Sequence, residues 1–201
     1  MIPDLSTFDN RRYQAGRSTL IVALWFFFGL PILRCSWNPS SRLRRALLRA
    51  FGASIGSAVV IRPGVRVKYP WRLSIGNHAW IGEDCWIDNL EQVTIGRDAC
   101  LSQGAYLCTG NHDWSDPSFG LIVKSITISD GAWVGARSVI TQGVELGVCA
   151  VASAGSVVTK SIPAFEIHAG NPAKCVRQRI VQPLNSETAE QANRAWRVAR
   201  I

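Results

Sequence analysis

Acidic residues are few in this chain of 201: 14 Asp and Glu stand against 22 Lys and Arg, a formal charge of +8. That shortage favours anionic partners such as phosphates or acidic lipid. Nucleic acid is set aside, because no DNA- or RNA-binding motif occurs and the aromatics fall inside a repeat. None of the six cysteines, Cys35, Cys85, Cys100, Cys108, Cys149 and Cys175, forms a C-x-x-C pair. A disulfide framework or zinc site is therefore not expected, and most of the thiols read as small buried hydrophobes in a reducing compartment. No apolar run reaches the roughly 20 residues that cross a bilayer squarely. Histidine is scarce: His78, His112 and His168 are the only three, without the paired spacing of a three-histidine metal centre. No metal is expected.

What the chain does have is a six-residue rhythm from about Ile55 to Pro163. Clear units are Ile75-Gly76-Asn77-His78-Ala79-Trp80, Ile81-Gly82-Glu83-Asp84-Cys85-Trp86, Val134-Gly135-Ala136-Arg137-Ser138-Val139 and Leu146-Gly147-Val148-Cys149-Ala150-Val151. A period of six fits neither a helix nor an alternating strand. It suits a parallel β-helix, in which three short strands make one triangular coil. The opening aliphatic residue points inward and stacks on its equivalents, each contributing about 1.5–3 kcal/mol. Small residues at the second and fifth places are expected to let the chain turn its corners.

The flanks differ. Residues 1–52 form an apolar, basic extension, and residues 178–201 a basic tail read as helical. Thr19 to Leu33 is strongly apolar with arginines on both sides: Arg11, Arg12 and Arg17 before it, and Arg34, Arg42, Arg44, Arg45 and Arg49 after. Symmetric positive flanks suit a segment lying on the cytoplasmic membrane face. Spanning, or packing within the protein, are the alternatives. No small-residue cleavage pattern follows, so a secretory signal is not expected. Ser41 to Phe51 reads as an amphipathic helix with Leu43 and Leu47 on its apolar face and Arg42, Arg45 and Arg49 turned away. It would cap the open end of the coil, bind lipid, or do both.

Two departures break the β-helix of residues 53–177. Asp88 to Gln92 is two residues out of period, and Thr109 to Leu121 is too long and bulky for a coil. The second must be extruded as a loop, where functional residues collect. His112 is the one histidine on it.

The segments Trp133-Val134-Gly135, Gly155-Ser156-Val157-Val158-Thr159-Lys160-Ser161-Ile162-Pro163 and Ala169-Gly170-Asn171-Pro172-Ala173-Lys174 resemble the signature of hexapeptide-repeat O-acetyltransferases. The galactoside and maltose acetyltransferases are familiar members. Trp86-Ile87-Asp88-Asn89-Leu90 and Leu107-Cys108-Thr109-Gly110-Asn111-His112-Asp113 are similar to the colanic acid biosynthesis subgroup, which also carries an apolar, basic extension. The resemblance covers about Leu47 to Arg177. It implies an all-β, left-handed parallel β-helix and homotrimers whose active sites lie between neighbours.

The resemblance further implies acetyl-CoA as donor, a saccharide acceptor, and His112 as the general base that activates its hydroxyl. Asp113 or Asp116 would orient the imidazole or meet the acceptor, and Asp88 and Asn89 would contact the sugar. Trp133 would line the pantetheine channel, with backbone contacts from Ala154. Thr159 and Lys160 would lie near the pantetheine and phosphate end, and Lys174 and Arg177 would face the nucleotide phosphates. Ala136 departs from the family, where serine is frequent.

The sequence thus points to a cytoplasmic, membrane-associated O-acetyltransferase acting on a surface polysaccharide or its lipid-linked precursor. Acetylation of a soluble nucleotide sugar or small saccharide, and a non-catalytic scaffold, stay open.

Overall fold

The computed structural model describes residues 2, 4–11, 13–37 and 40–182. Short parallel strands wind into a three-sided solenoid. Face A stacks Ser54–Ile55, Leu73–Ile75, Val93–Ile95, Ile126–Ile128 and Glu145–Leu146. Face B holds Val60–Ile61, Trp80–Ile81, Cys100–Leu101, Trp133–Val134, Val151–Ala152, Glu166–Gly170 and, antiparallel at its edge, Ala173–Gln178. Face C stacks Arg66–Val67, Trp86–Asp88, Tyr106–Cys108, Val139–Ile140 and Val157–Val158. Inside, each face contributes a column of buried aliphatic side chains, such as Ile75, Ile95, Ile128 and Leu146 on face A.

The repeat works differently at its corners from the sequence expectation. The left-handed backbone falls on the fourth place: φ is 61° at His78, 57° at Asp84, 56° at Arg137 and 56° at Cys149. The second place is small because coils approach there: a Cβ on Gly135 would lie 2.4 Å from the Ala154 nitrogen. The fifth place is small because it is buried, as at Ala79, Cys85, Ala132 and Ser138.

All the insertions share one corner, between faces C and A. Asn89 is fully buried there; it accepts from the Tyr69 N–H at 2.9 Å and donates to the carbonyls of Tyr69 and Arg72 at 2.6 and 2.9 Å. One coil further on, Thr109 Oγ1 donates to the Asp88 carbonyl at 2.9 Å and accepts from the Glu91 N–H at 3.1 Å. The irregular coil at Tyr69–Arg72, the small insertion and the extruded loop are therefore stacked on one another.

Along the strands, backbone N–H groups donate toward the following coil, as from Gly56 to Ile75 and from Gly76 to Ile95, at 2.8 and 2.7 Å. This leaves the first coil's strand carbonyls without a coil beneath them, and side chains fill the role. Arg49 donates to Ile55 and Gly56 at 2.7 and 2.9 Å, Arg45 to Val59, Arg44 to Ile61 at 3.5 Å, and Trp25 Nε1 to Val67 at 3.1 Å. The helix Ser41–Ala50 does cap the open end, and Arg42 is exposed as the sequence suggests, but Arg45 and Arg49 are not the solvated face expected. They point into the cap because orphaned carbonyls need donors, while Leu43 is exposed.

Before it, Thr19–Leu24, a wider π turn at Trp25–Gly29, and Leu30–Arg34 run as one helical segment. Trp25, Gly29 and Leu33 are buried, and a Cβ on Gly29 would meet the Trp25 ring at 2.2 Å. The opposite side leaves Leu20, Phe27 and Phe28 exposed at 69%, 76% and 63%. Among the described residues no helix is long and apolar enough to cross a membrane. The helical tail expected at 178–201 lies almost entirely outside the described residues.

Candidate functional site

The extruded segment folds back as a β-hairpin, Gly110–His112 antiparallel to Leu121–Val123, with His112 opposite Leu121. The His112 ring lies parallel to the Phe119 ring, 8° between planes and 4.5 Å between centroids. Its Nδ1 is 2.8 Å from the Phe119 carbonyl oxygen. A carbonyl only accepts, so Nδ1 carries the proton of the neutral ring and Nε2 presents the lone pair. Phe119 holds a φ of 54°, an uncommon conformation for a bulky residue, of the kind that gathers at functional sites.

Neither acidic candidate touches the imidazole. Asp113 accepts from Ser115 N–H and hydroxyl, and Asp116 from Ser118 N–H and hydroxyl. These bonds hold both carboxyls below their ordinary range. The expected orienting carboxylate is replaced by the Phe119 backbone, because each aspartate closes its own turn. Asp116 does reach a cleft of about 670 Å³ between the hairpin and the N-terminal segment, lined also by Asp9, Tyr13, Arg72, Glu91 and Ser118.

Asp88 and Asn89 part company. Asp88 ends a strand of face C, 3.0 Å from Lys68 Nζ, with the Tyr106 hydroxyl at 3.4 Å. Burial, then Cys108 and Asp88, raise the Tyr106 phenol pKa and keep it a donor. Asn89 cannot meet a sugar, since its buried amide is occupied by backbone.

A second concavity, about 510 Å³, lies on face B and the corner between faces B and C. Ser102, Trp133, Ala136, Ala154, Ile167 and Arg177 line it. Trp133 is 45% exposed and its Nε1 donates to Ser102 Oγ at 2.8 Å. Arg179, at the same edge, donates to the carbonyls of Gly131 and Cys149 at 2.9 and 3.2 Å. The floor is apolar, from Val151 and Ala152, and a guanidinium stands at the rim. Such a groove suits a long, thin, partly apolar ligand ending in negative charge.

The structure brings Trp133, Ala154 and Arg177 together but leaves other candidates apart. Thr159 and Lys160 are exposed at the corner between faces C and A. Lys174 is exposed on the strand Ala173–Gln178 and does not line the groove. The His112 hairpin leaves from that same C–A corner, the one opposite face B. The histidines are dispersed: His78 at a corner between faces A and B, His112 on the hairpin, and His168 on face B with Nε2 2.8 Å from Glu166 Oε2. The sequence reading missed Phe119, Ser102 and Arg179. The left-handed φ of Phe119 has no glycine or asparagine to announce it.

Residues 125–160 match the family described as the hexapeptide repeat of succinyl-transferase. Over 179 residues the chain is 39% identical to an Escherichia coli K12 protein carrying the name colanic acid biosynthesis acetyltransferase WcaF, covering 88% of this chain and 97% of that one. The crystal structure of a hexapeptide-repeat acetyltransferase from Vibrio cholerae superposes with a TM-score of 0.72 at 26% identity, over 82% of this chain and 95% of the other. A galactoside acetyltransferase in complex with coenzyme A superposes with a TM-score of 0.67, also at 26% identity, over 81% and 84%. The stacked coils, their six-residue unit and these likenesses agree, and the chain belongs to the hexapeptide-repeat acetyltransferases, a family of acyltransferases.

Proposed function

We propose that this enzyme transfers an acetyl group from acetyl-CoA to a sugar hydroxyl of a surface polysaccharide or its lipid-linked precursor, with His112 as general base. The observation that carries this is the bond from His112 Nδ1 to the Phe119 carbonyl, which leaves Nε2 unprotonated and aimable at a hydroxyl. Nε2 takes the hydroxyl proton as the oxygen attacks the thioester carbonyl. The tetrahedral oxyanion then collapses, the C–S bond breaks, and the departing thiolate takes the proton back from the imidazolium. No acetyl-enzyme forms.

The groove beside Trp133, Ala154 and Arg177 supports the donor site: its apolar floor fits pantetheine and the guanidinium fits a phosphate. His112, Thr159 and Lys160 sit on the far corner of the same prism, so a second copy must supply them. A homotrimer does this, setting the C–A corner of one chain against the groove of the next, with Lys174 near the nucleotide end. The polar cleft lined by Asp9, Glu91 and Asp116 suits a hydroxyl-rich acceptor. The exposed Leu20, Phe27 and Phe28, with Arg17 and Arg34 at the ends of the helical segment, support peripheral attachment to the cytoplasmic face of the membrane, where a lipid-linked acceptor would be found.

Calorimetric titration with acetyl-CoA tests the donor half: saturable binding of one ligand per chain is expected. No binding by a folded oligomer would point to a scaffold instead.

A further inference from the structure

Residues 4–11 and 13–15, with one 3-10 turn at Leu5–Thr7, form a strap at the C–A corner ahead of the helical segment that begins at Thr19. The Asp4 N–H donates to the Pro117 carbonyl at 3.0 Å, tying the strap to the hairpin loop. At the other end the Tyr13 hydroxyl donates to the Leu90 carbonyl at 2.8 Å, Arg72 Nη1 donates to that hydroxyl at 2.9 Å, and Trp71 Nε1 donates to the Ala15 carbonyl at 2.6 Å. Burial raises the Tyr13 phenol pKa, so it stays a donor. Between these anchors lies Phe8, half-buried, meeting the His112 ring edge-on at 5.5 Å and 61°.

We propose that Phe8 is a positioning residue for His112, which makes the N-terminal strap part of the active site; this rests on His112 being the general base. Phe119 supplies the plane of the ring and the acceptor for Nδ1, but both come from one residue of the same hairpin loop. One hydrogen bond to a hairpin carbonyl does not stop the imidazole from swinging about χ1 toward solvent. Phe8, from a segment more than a hundred residues distant, adds a second, edge-on aromatic contact. The ring is then held by two phenyl contacts, one stacked and one edge-on, with its tautomer set. Phe8 touches no reacting atom; it fixes where Nε2 points.

The test uses the full chain with 15N-labelled histidine, the His112 signals being assigned by their loss in His112→Gln. In the wild type, a fixed tautomer with the proton on Nδ1 is expected at a pH where the ring is neutral. Phe8→Ala should average the two tautomers and raise the rate of His112 carbethoxylation by diethyl pyrocarbonate several-fold, with Phe8→Tyr restoring both. In turnover, Phe8→Ala should lower kcat and leave the KM for acetyl-CoA unchanged. If Phe8→Ala does not fold, Phe8→Leu, which fills most of the space without an aromatic edge, takes its place. An unchanged tautomer signal and carbethoxylation rate in the folded variant would overturn the proposal. Full turnover by His112→Ala would instead sink the general-base reading on which it stands.

Discussion

The Phe119 carbonyl accepts the Nδ1 proton of His112 at 2.8 Å, and the Phe119 ring lies 4.5 Å above the imidazole that its own backbone orients. A single residue thus sets both tautomer and plane. His112→Ala is expected to lower turnover by about 10²–10⁴-fold, the usual share of a positioned base. Acetyl-CoA affinity should be largely kept, because the groove at Trp133 and Arg177 holds the donor while the imidazole acts on the acceptor hydroxyl. Thiol release and calorimetry on the same preparation check the two halves separately.

Arg177 is exposed at the rim of that groove and Arg179 is bound to two corner carbonyls. Arg177→Ala should weaken acetyl-CoA binding by about tenfold or more, as expected on losing one charge-assisted hydrogen bond. The loss should shrink as salt rises. Arg179→Ala should mainly lower the melting temperature.

Arg44 is the test of the end cap. It is 1% exposed and donates to the carbonyls of Leu33, Cys35 and Ile61. Burial lowers its pKa from the ordinary value. Arg44→Ala leaves three carbonyls short of a donor and should destabilise the fold by about 3 kcal/mol in denaturant titration. Arg44→Lys should recover little of this, since an ammonium cannot serve three diverging carbonyls as the planar fork does.

Cys85 gives the fold a dependence on alkaline pH. Burial pushes its thiol from 9.0 up to about 12. The folded chain therefore keeps the proton where the unfolded chain has lost it. Its contribution is complete below pH 9 and declines as pH rises toward 12. Cys85→Ala should flatten that part of the stability curve in thermal melts taken across it. In the folded wild type at neutral pH, iodoacetamide should label the exposed Cys35 and spare Cys85.

Phe27 and Phe28 together should decide membrane attachment. The double change Phe27→Asp and Phe28→Asp should abolish co-sedimentation with vesicles containing phosphatidylglycerol while leaving the melting temperature intact, since neither side chain is in the core. Retention of the doubly changed protein on vesicles would remove this face from the account.

What the sequence determined by itself is everything that repeats. Ile75, Ile95 and Ile128 announce a column because each opens the same six-residue unit, and the unit alone says which way its side chains point. The extruded loop and His112 were legible for the same reason, as the place where the rule stops. Tertiary structure decided the rest. The shared corner of the three insertions, the turn of Arg45 and Arg49 into the cap, and the meeting of Phe8 with His112 depend on which ends of the solenoid lack a neighbouring coil and where distant segments cross. No local pattern records those facts. Asn89 shows the difference most plainly: on paper it is a polar residue in an insertion, and in the fold it is buried between two coils, where its amide bonds three backbone groups.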